Sequence, residues 1–160
     1  MIQRFTFGCP LPTESVVLPV EPAAAAVPYL TAEPDGSWSF SLAEDAVVYG
    51  LGEMPRGINK RGWHYVTDNT DESHHGENRL SYYGAHNFLL IDGGAGRSVF
   101  GVFVDFPGKV FYDIGYTRHD RLTFRTEEPD YDLYILTGDS PNAVCTEFRK
   151  LIGHSYIPPK

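Results

Sequence analysis

Cysteine is scarce in this sequence: Cys9 and Cys145 are the only two in 160 residues. Two lone cysteines in dissimilar settings do not make a disulfide framework, so a reducing, cytoplasmic location is the expectation. Cys145 falls among apolar residues in a segment that reads as helix, and is expected there as a small buried residue. Long apolar runs are missing too. None approaches the ~20 residues that a membrane span needs. Met1-Ile2-Gln3-Arg4-Phe5 lacks the apolar stretch of a secretory signal. Positive charge is short: 13 Lys and Arg stand against 21 Asp and Glu, a net charge of -8. Such a surface repels phosphate backbones, so neither nucleic acid nor a membrane surface is an expected partner. Metal-site spacings such as HExxH, CxxC or an EF-hand loop are absent, as are a Gly-x-Ser-x-Gly elbow and a phosphate-binding glycine loop. His74 and His75 are adjacent and would face opposite sides of a strand. No metal and no cofactor is expected.

What is present points to β-structure. Hydrophobic residues make up 42% and aromatics 14%, with 10 Tyr and 10 Phe that suit half-buried pleated surfaces. The 16 Gly and 12 Pro imply many turns. The length suits one domain with short arms.

Residues 1–34 read as a Pro/Ala-rich arm packed on the domain, with room for one edge strand. Cys9-Pro10-Leu11-Pro12 and Glu21-Pro22-Ala23-Ala24-Ala25-Ala26-Val27-Pro28 remove ladder donors and block helices. From Asp35 the pattern changes. Trp38, Phe40 and Leu42 alternate with serines, as in a half-buried strand. Further strands are predicted over residues 46–51, 63–67, 87–92, 98–106, 109–114, 121–126 and 131–137. Turn signals separate them, including Gly93-Gly94-Ala95-Gly96, Pro107-Gly108 and Glu128-Pro129-Asp130. This spacing suggests a sandwich or barrel. Ser140-Pro141 starts a helix, whose Val144, Phe148, Leu151 and Ile152 share one face and which Gly153 caps. Domain boundaries are therefore expected at 35–153, with 154–160 as a linker. Tyr156 and Ile157 have nothing local to pack on, and Pro158-Pro159 stiffens the tail. That tail reads as an exit toward a further domain.

The longest segment without a clear pattern runs from Met54 to His86, broken only by the 63–67 strand. It holds Arg56, Asn59, Lys60, Arg61, His64, Asp68, Asn69, Asp71, Glu72, His74, His75, Glu77 and Arg79. Long loops in compact domains are usually functional or mobile. Glycoside hydrolysis needs two carboxyls ~5–10 Å apart, and a single loop seldom holds two that rigidly. Autonomous catalysis is not expected. Trp63, Tyr65, Tyr82 and Tyr83 suit stacking on a sugar face, but packing in the core or against a partner is the preferred reading.

Several motifs, in order, carry a family likeness. Tyr49-Gly50-Leu51-Gly52-Glu53 resembles the Gly-Leu-Gly-Glu signature of the N-terminal domain of glycoside hydrolase family 31, the α-glucosidase and α-xylosidase family. Asn69-Thr70-Asp71 is similar to the family's Asn-x-Asp loop. Tyr83-Gly84-Ala85-His86-Asn87-Phe88, Phe100-Gly101-Val102-Phe103 and Tyr134-Ile135-Leu136-Thr137-Gly138 resemble its later strands. Pro141 to Gly153 and Ile157-Pro158-Pro159 match the helix and linker that enter its barrel. The likeness runs from about Val48 to Lys160. The sequence departs from the family pattern at Asp68, where an aromatic residue often precedes the Asn.

The resemblance implies an all-β fold: an antiparallel, galactose-mutarotase-like β-sandwich with one C-terminal helix, packed on the enzyme's own C-terminal (β/α)₈ catalytic barrel. Both catalytic aspartates of that retaining enzyme would lie on the barrel, so no catalytic residue is expected in this chain. The parent enzyme would hydrolyse non-reducing α-linked glucosides in oligosaccharides. Asp71 would bind sugar hydroxyls in the substrate pocket, with Asn69 and Thr70 in support. Gly50 and Gly52 are expected to be structural and Glu53 a buried, hydrogen-bonded anchor. Arg56, Asn59, Lys60 and Arg61 are expected to brace the loop against the barrel. The alternatives are a free-standing carbohydrate-binding module and a mutarotase-like sugar epimerising domain.

Overall fold

The computed structural model describes residues 1–71, 73–94, 97–155 and 157–159. Among the described residues, ten strands precede one helix: β1 (Ile2–Phe7), β2 (Thr31–Ala32), β3 (Trp38–Ser41), β4 (Val47–Gly52), β5 (Trp63–Thr67), β6 (Ala85–Asp92), β7 (Val99–Asp105), β8 (Val110–Ile114), β9 (Arg121–Thr126), β10 (Tyr131–Thr137) and α1 (Pro141–Ile152). They form two five-stranded antiparallel sheets, in the orders β1-β10-β7-β6-β4 and β2-β3-β9-β8-β5. The main core lies between the sheets. Leu89, Ile91, Val102, Val104, Leu133 and Ile135 from the first sheet meet Tyr65, Val110, Tyr112, Ile114, Leu122 and Phe124 from the second. The chain is a β-sandwich.

The central strands of the first sheet are apolar on both faces, and the reason is the helix. Phe88, Leu90, Phe103, Tyr134 and Leu136 turn away from the main core and pack with Val144 and Leu151 of α1. A strand covered on both sides reads as a continuous apolar run instead of an alternating one. Gly101 lets α1 come close, since a Cβ there would stand 2.9 Å from a Val144 methyl. The Ser140 hydroxyl caps the helix by accepting the Ala143 amide, as its sequence predicts. Cys145 is half-buried at the edge of this second cluster, short of the full burial expected, because α1 lies on the surface of the sheet.

Residues 1–34 are more than an arm. Ile2–Phe7 forms an outer strand of the first sheet, paired with β10 from Ile2–Leu136 to Phe7–Tyr131. Phe5 is buried in the main core, and Arg4 and Thr6 bond the Asp132 carboxylate at 2.8 and 2.6 Å. The prolines that mark the arm begin only after this strand. From there the chain does wrap the surface. The Ala23 amide reaches the Arg4 carbonyl (2.7 Å), and the Val17 and Leu18 amides cap the Leu151 carbonyl at the end of α1. The exposed edge of β1 is thereby partly covered. Thr31–Ala32 adds a two-residue edge to the second sheet, ahead of the expected boundary at residue 35.

Candidate functional site

The Gly-Leu-Gly-Glu motif is a backbone device at the end of β4. Gly50, Leu51 and Gly52 have φ of 121°, 65° and 70°, three consecutive residues in the left-handed half of the map. The register with β6 shifts here, from Gly50–Leu89 to Gly52–Ala85, as in a β-bulge. A Cβ on Gly50 would fall on the Phe88 carbonyl oxygen, and one on Gly52 on that of Gly84. Leu51 is driven fully into the core. Glu53 then hooks Gly84: its amide donates to the Gly84 carbonyl (3.0 Å) and its carboxylate accepts the Gly84 amide (3.2 Å). Glu53 is therefore an anchor, but an exposed one and not the buried group expected. The bulge turns its side chain outward.

Asn59, Lys60 and Arg61 brace the sandwich itself. Asn59 Oδ1 accepts the Val48 and Arg61 amides at 3.2 and 3.1 Å. Arg61 donates to the carbonyls of Ala43, Glu44, Ala46 and His119 at 2.6 to 3.1 Å. Arg56 lies over Trp63 at 4.3 Å, and Lys60 over Tyr65 at 5.6 Å. Burial holds the Lys60 amine below its ordinary pKa, helped by the nearby Arg56 charge. Two of the four aromatics weighed for sugar stacking are thus accounted for. Tyr65 is core and Trp63 carries a guanidinium.

The loop of residues 68–84 leaves β5 and returns into β6. Its neck is closed by side chains. Asn69 Oδ1 accepts the Ala85 amide at 2.7 Å. The Ser81 hydroxyl accepts the Asp68 amide at 3.3 Å, and the Asp68 carboxylate meets the Lys109 ammonium at 3.0 Å. Below the neck, the Thr67 hydroxyl bonds the Asn87 side chain. Further out, the His75 ring lies 4.7 Å from that of Tyr82 and 5.2 Å from that of Tyr83, which is 43% exposed. Thr70 and Asp71 are exposed beyond the neck. Asn69 is thus the structural member of the predicted trio, and Asp71 has a free carboxylate among the described residues. Glu72, next to it, lies outside them, as do Ala95 and Gly96 of the expected glycine turn and Tyr156 and Lys160 of the tail.

Two ends of the sandwich differ in what they present. The neck residues Asp68 and Ala85 sit at the end where β7 finishes and β10 begins, since Asp105 pairs with Asp132 and Asn87 bonds the Phe106 carbonyl. The helix runs toward that same end. Val144 sits over Gly101 in mid-sheet, and Phe148 stacks on Phe88 with its ring 6.4 Å from that of His86. The chain therefore leaves α1 at that same end of the first sheet, where the Leu151 carbonyl is held by the Val17 and Leu18 amides of the arm. Ile157, in the tail, is 87% exposed.

The outer face of the second sheet carries a separate open groove of about 450 Å³, lined by His64, Val66, Leu80, Phe111, Asp113 and Arg125 among others, and not by the residues of the 69–71 turn.

Residues 25–113 match the family profile described as the glycosyl hydrolase 31 N-terminal galactose mutarotase-like domain. The chain belongs to that family. This GH31 domain is 31% identical over 119 residues to the alpha-xylosidase XylQ of Lactiplantibacillus pentosus, a match covering 74% of the chain. Among solved structures it resembles the GH31 dextranase of Flavobacterium johnsoniae complexed with glucose (TM-score 0.68, 23% identity, 84% of the chain). It also resembles the cycloalternan-degrading enzyme of Trueperella pyogenes (TM-score 0.65, 20% identity, 77% of the chain). These two likenesses speak to the fold. The matches span 15%, 16% and 18% of those relatives' own lengths.

Proposed function

We propose that the chain is the non-catalytic N-terminal β-sandwich of a retaining, α-glucosidase-like glycoside hydrolase, and that its 68–84 loop completes the substrate pocket of a C-terminal (β/α)₈ barrel. One observation carries the reading: the loop's neck and the exit from α1 share one end of the sandwich. A domain that comes after the helix would therefore start at the loop's end of the sandwich. The carboxylate of Asp71, free among the described residues and held two residues beyond the Asn69–Ala85 bond, is suited to accept two neighbouring sugar hydroxyls. Its substrates would be oligosaccharides with a non-reducing α-linked glucose. Asn69 acts by holding the neck, and Thr70 lies between the anchor and the ligand.

The test is Asp71→Ala in the full-length enzyme, assayed on maltose and isomaltose. Loss of charge-assisted hydrogen bonds should lower kcat/KM by about 1–3 kcal/mol, roughly 5- to 150-fold. Unchanged kcat/KM on both sugars would remove Asp71 from the pocket.

A further inference from the structure

We propose that the Asp68–Lys109 ion pair is a positioning device, setting how the Asn69–Asp71 turn is presented to substrate, an inference that rests on the substrate-loop reading of residues 68–84. Among the described residues, few ties hold the turn. β5 ends firmly: the Thr67 hydroxyl bonds Asn87 on β6 and accepts the Val110 amide on β8 at 3.3 Å. One residue on, the Asp68 carboxylate meets Lys109 at 3.0 Å. Lys109 itself is fixed at the backbone, where its carbonyl accepts the Glu127 amide at 3.0 Å. The next residue, Asn69, is tied to the other side of the sandwich through Ala85. Asp68 thus references the loop to β8 and Asn69 references it to β6.

Two ties on opposite sides of a neck fix a direction. One tie leaves a pivot. With Lys109 removed, the Asp68 amide keeps its bond to Ser81, a residue of the loop itself, and Asn69 still holds the neck closed, but the turn loses its reference to β8 and can swing about the Ala85 bond. A misplaced binding group costs affinity even when the chain that carries it stays folded. The pair's exposure points the same way. Its side chains are 44% and 35% exposed, and ion pairs in such settings add little to stability. Such a pair is also open to salt, because mobile ions screen surface charges. A role in orientation would therefore show as a salt-sensitive KM, and a role in stability would show as a lower Tm.

The experiment uses the full-length enzyme and maltose. Lys109→Met should raise KM about threefold to tenfold, with kcat within about twofold and Tm unchanged. The parent enzyme's KM should climb between low and high salt, and Lys109→Met should flatten that climb. The charge-reversed double variant, Asp68→Lys with Lys109→Asp, should recover most of the loss. In an Asp71→Ala background, Lys109→Met should add nothing further. An unchanged KM, or a fall in Tm without a KM effect, overturns the proposal. A KM rise that persists whole in the Asp71→Ala background does so too, because the pair would then act elsewhere. If Asp71→Ala is silent, the Asp71 reading fails by itself, and a KM rise in Lys109→Met that survives in that background overturns this proposal as well.

Discussion

The side-chain oxygen of Asn69 accepts the backbone amide of Ala85 at 2.7 Å, joining the first residues of the 68–84 loop to the strand that ends it. Ala85 is buried, so its amide has little water to turn to. Asn69→Ala should leave that donor unsatisfied and cost about 1–3 kcal/mol of unfolding free energy. Urea unfolding of the chain measures the cost. Hydrogen exchange at Ala85 should quicken by more than at Leu89, deep in β6. Equal changes at both sites would mean that the neck opens only with the whole sandwich.

The bulge at the end of β4 should tolerate substitution poorly. Gly52 has φ of 70°, and a Cβ there would fall on the Gly84 carbonyl oxygen and 2.9 Å from the His86 ring. Gly52→Ala meets both a backbone penalty and a clash with backbone, which flexible side chains cannot relieve. The expected loss is about 3 kcal/mol or more. Loss of the Glu53–Gly84 hook should accompany it. A loss under about 1 kcal/mol would show that β4 and β6 can separate locally at little cost.

Much of this architecture is legible in the sequence, for identifiable reasons. Strands β5, β9 and β10 have the predicted limits, and α1 starts and stops at Ser140 and Gly153, because turn residues and caps act locally. β1 is not legible, because six residues ahead of a proline-rich stretch carry no boundary signal. Their strand state is decided by β10, more than a hundred residues away. At the candidate site the family motif marks Asp71 as the binding residue and Asn69 as its support, but not what Asn69 holds. Asn69 serves the neck through the Ala85 amide, which no local pattern marks, and among the described residues Asp71 is left free. Lys109 is invisible in the sequence for the same reason, since nothing near it in the chain points to Asp68.

Acid sensitivity should trace in part to Asp113. Burial pushes its carboxyl up, but the bonds from Thr117, Tyr116 and His64 together hold it below its ordinary value of 3.8. Its oxygens accept the Tyr116 amide at 2.9 Å and the Thr117 amide at 3.2 Å, and His64 Nε2 lies 3.0 Å away. A depressed carboxyl binds fewer protons folded than unfolded. Its stabilisation is therefore present above pH 3.8 and lost as pH falls through the lower folded value. Asp113→Asn should weaken the chain at neutral pH by about 1 kcal/mol and flatten the acid limb of a Tm-against-pH curve. An acid limb identical to that of the parent would assign the sensitivity to other carboxyls.

Ring stacking, and not charge, should hold α1 to the sheet. The Phe148 ring stacks on Phe88 with centroids 3.8 Å apart and planes 6° from parallel, and meets Phe103 edge-on at 5.3 Å. Glu147, its neighbour, pairs with the N-terminal ammonium at 3.1 Å and with Lys150 at 2.6 Å. The two sets of contacts look comparable in number but differ in physics. Ring burial removes apolar area from water and leaves a hole when deleted, whereas the partners of Glu147 are largely exposed and well solvated. Phe148→Ala should cost about 2–4 kcal/mol, discounted from a fully buried ring because Phe148 is only partly covered. Glu147→Gln should cost about 0.5 kcal/mol or less. In Phe148→Ala the amides of α1 should exchange faster than those of β7, because the helix loses its footing while the sheet keeps its core. If Glu147→Gln proved the more damaging change, the helix would be held by charge, and its direction toward the loop would depend on salt.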